Sequence, residues 1–334
     1  MNLFRIHRTF SPKVRVTSLA LAVCLPGCGS DPKDSGKNAS GVTGGENFIA
    51  LPDAGTGANG GAANFSGVWP PPGYINVTNA SIGAYALGPE LTAGGGRSGS
   101  GGATTTTTCA GLYGLVRDFK MGNRAGGHPD FETAPAADDK GIVTNALGAD
   151  GKPVYAHPGA RTSSTTGQAA FDQWYNDTAG VNRTYLLGLH AVQNGTTLTF
   201  SASIDNPGGQ PDSSFFPLDG QGWGNEGQPH NFAFTTEIHT SFTYNAGDTF
   251  TFVGDDDVWV FINGQLAIDL GGRHAQETGS VSLDAQSARL GITVGGVYDL
   301  AVFHAERHTV QSNFRIDTTL AFTNCGVVNG GTVY

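Results

Sequence analysis

Apolar and polar positions alternate in short runs along most of the chain beyond residue 109, and Gly, Asn or Asp closes nearly every run. YLLGLHAVQNGTTLTFSAS places apolar runs on both sides of Asn194-Gly195, the preferred pair for a tight hairpin turn. SFTYNAGDTFTFVG alternates Phe242 and Tyr244, then Phe250 and Phe252, with polar neighbours about another turn. VWVFINGQLAIDL repeats the hairpin pattern about Asn263-Gly264, but its first strand is apolar on both faces, as a strand inside a layered core requires. LGITVGGVYDLAVF and SNFRIDTTLAF add further strands. In TTGQAAFDQWYND, Phe171, Trp174 and Tyr175 fall at i, i+3 and i+4, which predicts one short helix. The pattern predicts an all-β fold, an antiparallel β-sandwich with one short helix and long loops.

Composition narrows the partners. Of 334 residues, 14% are charged, and 18 Lys and Arg against 28 Asp and Glu leave a formal charge of −10. Nucleic acid needs a basic patch, so it is excluded as the main partner. Arg5, Arg8, Lys13 and Arg15 precede VTSLALAVCLPG, an apolar run too short to span a bilayer that reads as an export signal. The run ends in LPGC, similar to the bacterial lipobox. Residues 1–27 are therefore expected to be a lipoprotein signal peptide, with a lipid anchor to the membrane at Cys28. Gly29 follows, with no retention aspartate, so the expectation is an exported lipoprotein of the outer membrane or cell surface. Cys109 and Cys325 remain, and in an oxidising compartment they are expected to pair. Closing so long a loop contributes up to ~5 kcal/mol in chain-entropy terms. Residues 28–108 are rich in Gly, Ser and Thr and read as a flexible tether, although their middle carries Trp69, Tyr74 and Tyr85. Residues 109–325 then form the folded domain, and 326–334 a C-terminal tail.

The segments VRDFK, GHPDFE, FDQWYND, FFPLDGQGWGNE, HNFAFTTEIHTSF, GDDDVWVFING, IDLGGRH and AERHT, in this order, resemble the fibro-slime domain over residues 112 to 322. The second half of that domain is similar to the anthrax-protective-antigen-like, flocculin-type sugar-binding β-sandwich. The resemblance implies an extracellular β-sandwich that takes part in adhesion or glycan binding.

Asp255, Asp256 and Asp257 stand directly before the apolar strand VWVFI. Three adjacent carboxylates repel one another, and burial raises the cost or forces protonation. An oxygen-preferring cation resolves the conflict, because Ca²⁺ takes 6–8 oxygen ligands. The resemblance implies calcium on a consecutive Asp pair ahead of a strand, often joined by a cis peptide, and aligns that pair with Asp255 and Asp256. It implies a further ligand, an asparagine, in a second loop, and that position falls on Glu306. Asp257, next in line, is then expected to face solvent or cap the turn. The alternative is a capped turn of solvated aspartates, with Glu306 paired to Arg307 or Arg273. On a strand, His304, Glu306 and His308 would share a face, which opens a rival zinc or iron reading.

Sugar recognition calls for an exposed aromatic ring and polar groups. Trp223, in the loop DGQGWGNEGQPHN, is the candidate platform, with Asp257, Arg273 and His274 as further ligand-binding candidates; the alternative is that these residues fix their own turns. Trp174 and Trp259 sit in apolar stripes and read as core. Asp219, Glu226 and Glu237 could supply the paired carboxylates of a glycoside hydrolase, but no GxSxG elbow between strand and helix, HExxH or phosphate loop accompanies them. The sequence therefore predicts a non-catalytic, calcium-dependent binder of a glycan or another surface polymer. The alternatives are a structural or protein-interaction envelope module with purely structural calcium, or a hydrolase on the same scaffold.

Overall fold

A computed structural model describes residues 75, 84–91, 98–100, 111–133, 137–201, 215–309 and 311–329. The signal segment, Cys28 and Cys109 lie outside these residues, as does most of the expected tether. Cys325 is disulfide-bonded, and its carbonyl accepts a 2.7 Å hydrogen bond from the amide of Tyr113, four residues beyond Cys109 in sequence. Among the described residues no helix is long and apolar enough to cross a membrane.

Among the described residues the architecture is two large antiparallel sheets, as the alternation predicts, with two short two-stranded ribbons besides. The larger runs in the order Ala84–Glu90, Asn182–His190, Gly111–Phe119, Phe234–Thr243, Val297–Glu306, Asp257–Ile262, Gln265–Leu270, Val143–Leu147, Pro153–Tyr155, with Ala321–Phe322 beside Phe234–Thr243. The smaller runs Glu277–Ser282, Thr249–Gly254, Phe314–Thr318, Thr197–Ser201, Val192–Asn194. The first strand corrects the expected boundary at Cys109. Ala84–Glu90 pairs with Asn182–His190 and buries Tyr85, Ala86 and Leu87, so part of the expected tether is built into the sheet.

The strand Asp257–Ile262 shows why its sequence is apolar on both faces. Val258, Val260 and Ile262 join the core between the sheets, with Phe250, Phe252, Phe314 and Ile316. Trp259 and Phe261 enter a second cluster with Phe119, Phe131, Phe171, Trp174, Tyr175 and Phe303. The period of two thus divides one strand between two cores. The Asn263-Gly264 turn is the predicted two-residue hairpin, with positive φ at both residues (51° and 69°) and Ile262 opposite Gln265.

Three local expectations change. Asn194 opposes Thr197, which shifts that hairpin's two-residue loop to Gly195-Thr196. The turn after Thr243 carries the chain from one sheet to the other rather than closing a hairpin. The helix is a single turn, Gln168–Phe171; beyond it the amides of Gln173 and Trp174 bond three residues back, to Ala170 and Phe171, and the side chains of Asn176 and Asn182 take the carbonyls of Asp172, Gln173 and Asn176. Phe171, Trp174 and Tyr175 are nonetheless all buried. A second helix, Leu283–Leu290, escaped the sequence reading although its signals are present: Ser282 before it, Asp284 in its first turn, Arg289 in its last, and Gly291 in the left-handed region after it.

Candidate functional site

Two crossings between the sheets meet at one end of the sandwich. The chain leaves the smaller sheet at Gly254 and enters the larger at Asp257, so Asp255 and Asp256 form the link. It leaves the larger sheet at Glu306 and returns to the smaller at Phe314. Asp257 is in register with Ala305, and Gly254 with Phe314, which sets the two links side by side. The Asp255–Asp256 peptide is cis, as the resemblance implied. A side chain at Gly254 would run into the carbonyl of Asn313, so glycine permits the close approach.

All three aspartates are buried, contrary to the solvated-turn alternative. Asp255 accepts from the backbone and side-chain nitrogens of Asn313 at 2.6 and 2.7 Å. Asp256 accepts the Arg307 amide at 3.0 Å. Glu306 is fully buried and accepts the His308 amide at 3.3 Å. Burial raises the Asp255 carboxyl against the opposing Asn313 hydrogen bonds. Burial, reinforced by Asp257 and Asp255, pushes Asp256 well above the usual carboxylate range. Glu306 is pushed up the same way, by burial and then by Asp256 and Asp255. Glu306 Oε2 and Asn313 Oδ1 are buried and have no hydrogen-bond partner among the described residues. Asn313 is not singled out by the sequence resemblance, which puts the expected asparagine position of this second loop on Glu306. Among the described residues, no three His, Cys, Asp or Glu side chains converge as a metal cluster, so any cation at the crossings would also draw on amide, backbone or water oxygen.

Asp257 takes a different role. It accepts Arg307 Nε at 2.6 Å and the Gly272 amide at 2.7 Å in a fully buried ion pair. The Arg307 guanidinium also donates to the carbonyls of Asp130 and Ser164 and lies 4.4 Å from the Trp174 ring centre. Glu306 therefore does not pair with Arg307, whose charge is spent on Asp257. Asp257, Arg273 and His274 are buried, and the two ring nitrogens of His274 lie 2.8 and 3.2 Å from the carbonyl oxygens of Ala275 and Leu270. These three do not present side chains at the surface. Arg273 has Nε and Nη1 buried without a partner among the described residues.

His304 donates Nε2 to the Asp255 carbonyl at 2.8 Å, and burial pushes it down to about 4, while His308 faces Glu132. The rival two-histidine centre is thus not assembled. Trp223 is partly buried, with Lys120 Nζ 4.3 Å and Arg183 Cζ 5.5 Å from its ring centre. Its amide donates to the buried Asp118 at 2.5 Å.

The carboxylates weighed for hydrolysis hold structure. Asp219 accepts the Asn231 amide, and Glu226 accepts the Met121 amide. Glu237 is fully buried between Arg117, Lys152 and His239. Burial works to raise its carboxyl, but Arg117 and Lys152 outweigh burial and hold it well below the usual range.

Residues 220–329, which contain both crossings, match the family model of the PA14 domain. Protein psiR of Dictyostelium discoideum is 39% identical over 222 residues, 61% of this chain and 21% of psiR. Protein psiC of the same organism is 38% identical over 226 residues, 61% of this chain and 41% of psiC. The matched stretch is thus a minor part of either relative. Among solved structures, a PA14 sugar-binding domain from an RTX adhesin shares 13% identity at a TM-score of 0.28, over 66% of this chain and 99% of that one. The PA14 domain of the MpAFP antifreeze protein shares 11% at 0.27, over 69% and 98%.

Proposed function

We propose that this chain is a non-catalytic surface module that binds carbohydrate through a calcium ion held at the two crossings. Asp256 and Glu306 would supply charged oxygens and Asn313 a neutral one, with backbone or water oxygen completing the set, while Asp255, both of whose oxygens accept from Asn313, would hold Asn313 in place. The ion would neutralise the buried carboxyls and offer open coordination positions to sugar hydroxyls. One observation carries the reading: the buried carboxyls of Asp256 and Glu306 are both pushed up, by burial first and then by neighbouring aspartates, and Glu306 Oε2 and Asn313 Oδ1 are buried without a partner among the described residues. The PA14 match over the same residues supports it. Export by the signal segment, anchoring at Cys28 and pairing of Cys325 with Cys109 complete the proposal.

Binding of the purified chain to immobilised glycans, with calcium or with chelator, tests the reading. Retention should disappear with chelator and in Asp256→Asn. The complete burial of Glu306 favours a second reading, in which calcium only ties the crossings together. Chelator would then lower the unfolding temperature while no glycan is retained under either condition.

A further inference from the structure

A cavity of about 310 Å³ opens in the segment between residues 150 and 176, outside the stretch that matches the PA14 model. Its walls come from the turn at Asp150, the short strand Pro153–Tyr155 and the one-turn helix Gln168–Phe171. That volume lies at the small end of ligand sites, enough for one sugar ring.

Charge selects the occupant. Lys152 lines the cavity, but its ammonium is bound to the buried Glu237 and adds no free positive charge. Asp150 and Asp172 also line it, and neither has a salt-bridge partner among the described residues. Asp150 uses one oxygen to accept the Lys152 amide at 3.1 Å. Asp172 accepts from the Gln168 side chain, so the cavity mouth is left with two exposed carboxylates that carry no cationic partner among the described residues. The Gln168 side chain is hydrogen-bonded to Asp172 and Asn176 Nδ2 donates to the Asp172 carbonyl at 2.7 Å, which leaves the remaining polar groups of both amides to serve hydroxyls, while Phe171 supplies apolar surface. Tyr175 is a further wall residue, 2% exposed, and its hydroxyl has no partner among the described residues. A neutral sugar would leave the carboxylates unanswered, and an acidic one would be repelled.

We propose that this cavity is a metal-independent subsite for a protonated amino-sugar unit, its ammonium held by Asp150 and Asp172 and its hydroxyls by Gln168 and Asn176. The proposal goes beyond the calcium reading and does not rest on it.

The test is calorimetric titration of the full chain with glucosamine at pH 6.5 in the presence of chelator, so that failure of the calcium reading leaves the result intact. Glucosamine should bind saturably. N-acetylglucosamine and glucose, which lack the positive charge, should bind at least about tenfold more weakly, since a charge-assisted hydrogen bond carries that much. Asp172→Asn should weaken glucosamine by about tenfold with the unfolding temperature unchanged, because Asp172 is exposed. Asp150→Asn serves as the second variant. The proposal is overturned by an absence of saturable binding, by equal binding of N-acetylglucosamine, or by an unchanged affinity in both variants. Equal binding of the side-chain amine of Nα-acetyl-lysine amide would also overturn it, because the site would then read an ammonium without the sugar.

Discussion

Replacing Asp118 by Asn should change how stability depends on pH. Asp118 is fully buried and accepts the Trp223 amide at 2.5 Å and Asn231 Nδ2 at 2.8 Å, so it pins the loop that carries Trp223. Burial pushes its carboxyl from 3.8 up to about 7, against those two hydrogen bonds and with a small contribution from Glu226. Above 3.8 the unfolded chain has released this proton, while the folded chain keeps it until about 7. The folded state therefore binds more protons across this window, and stability falls as pH rises through it. At roughly 1.4 kcal/mol per pH unit, the ionised group costs about 4 kcal/mol above the window. Asn carries no proton to lose, and any change it makes in hydrogen bonding is independent of pH. Urea unfolding of both proteins, in chelator at pH 4 to 8, isolates the effect in the wild-type-minus-variant difference. That difference should fall by about 4 kcal/mol and level off above pH 7. A flat or rising difference would refute the placement of this carboxyl.

Further outcomes follow from the buried charges and turns. Glu237→Gln leaves Arg117 and Lys152 without their shared anion and should cost about 3–5 kcal/mol in thermal or chemical unfolding; an unchanged midpoint would contradict the pairing. Gly222 has φ 58°, and a side chain there would collide with the Asp118 carboxylate. Gly222→Ala should therefore cost more than about 1 kcal/mol and alter the near-ultraviolet signal of Trp223. Trp174→Phe keeps an aromatic ring beside Arg307 but removes the Nε1 donor to Asp130, 3.1 Å away, and should cost about 1–2 kcal/mol.

The parts of the fold legible in the sequence are those fixed by neighbours in the chain. Asn263-Gly264 dictates its own turn, and the unbroken apolar run before it reports a strand buried on both faces. The acidic run could be recognised as a problem needing a solution. Asn313 could not be assigned from the sequence, because its contact with Asp255 depends on the register between Gly254 and Phe314. Arg307 could not be assigned to Asp257 for the same reason, fifty residues separating the two. The strand Ala84–Glu90 was hidden by its Gly- and Thr-rich surroundings, since an edge strand gains its stability from a distant partner. The segment between Phe119 and Asn182 carries little periodicity, so the layer that encloses Trp174 and the small cavity emerged only from the three-dimensional arrangement.

Whether the buried carboxyls at the crossings hold a calcium ion is read out by calorimetric titration of the full chain with calcium. Saturable binding with a raised unfolding midpoint is expected, both lost in Asp256→Asn and in Glu306→Gln. A folded wild-type chain that takes up no calcium at millimolar concentration, with a midpoint indifferent to chelator, would contradict a calcium ion there.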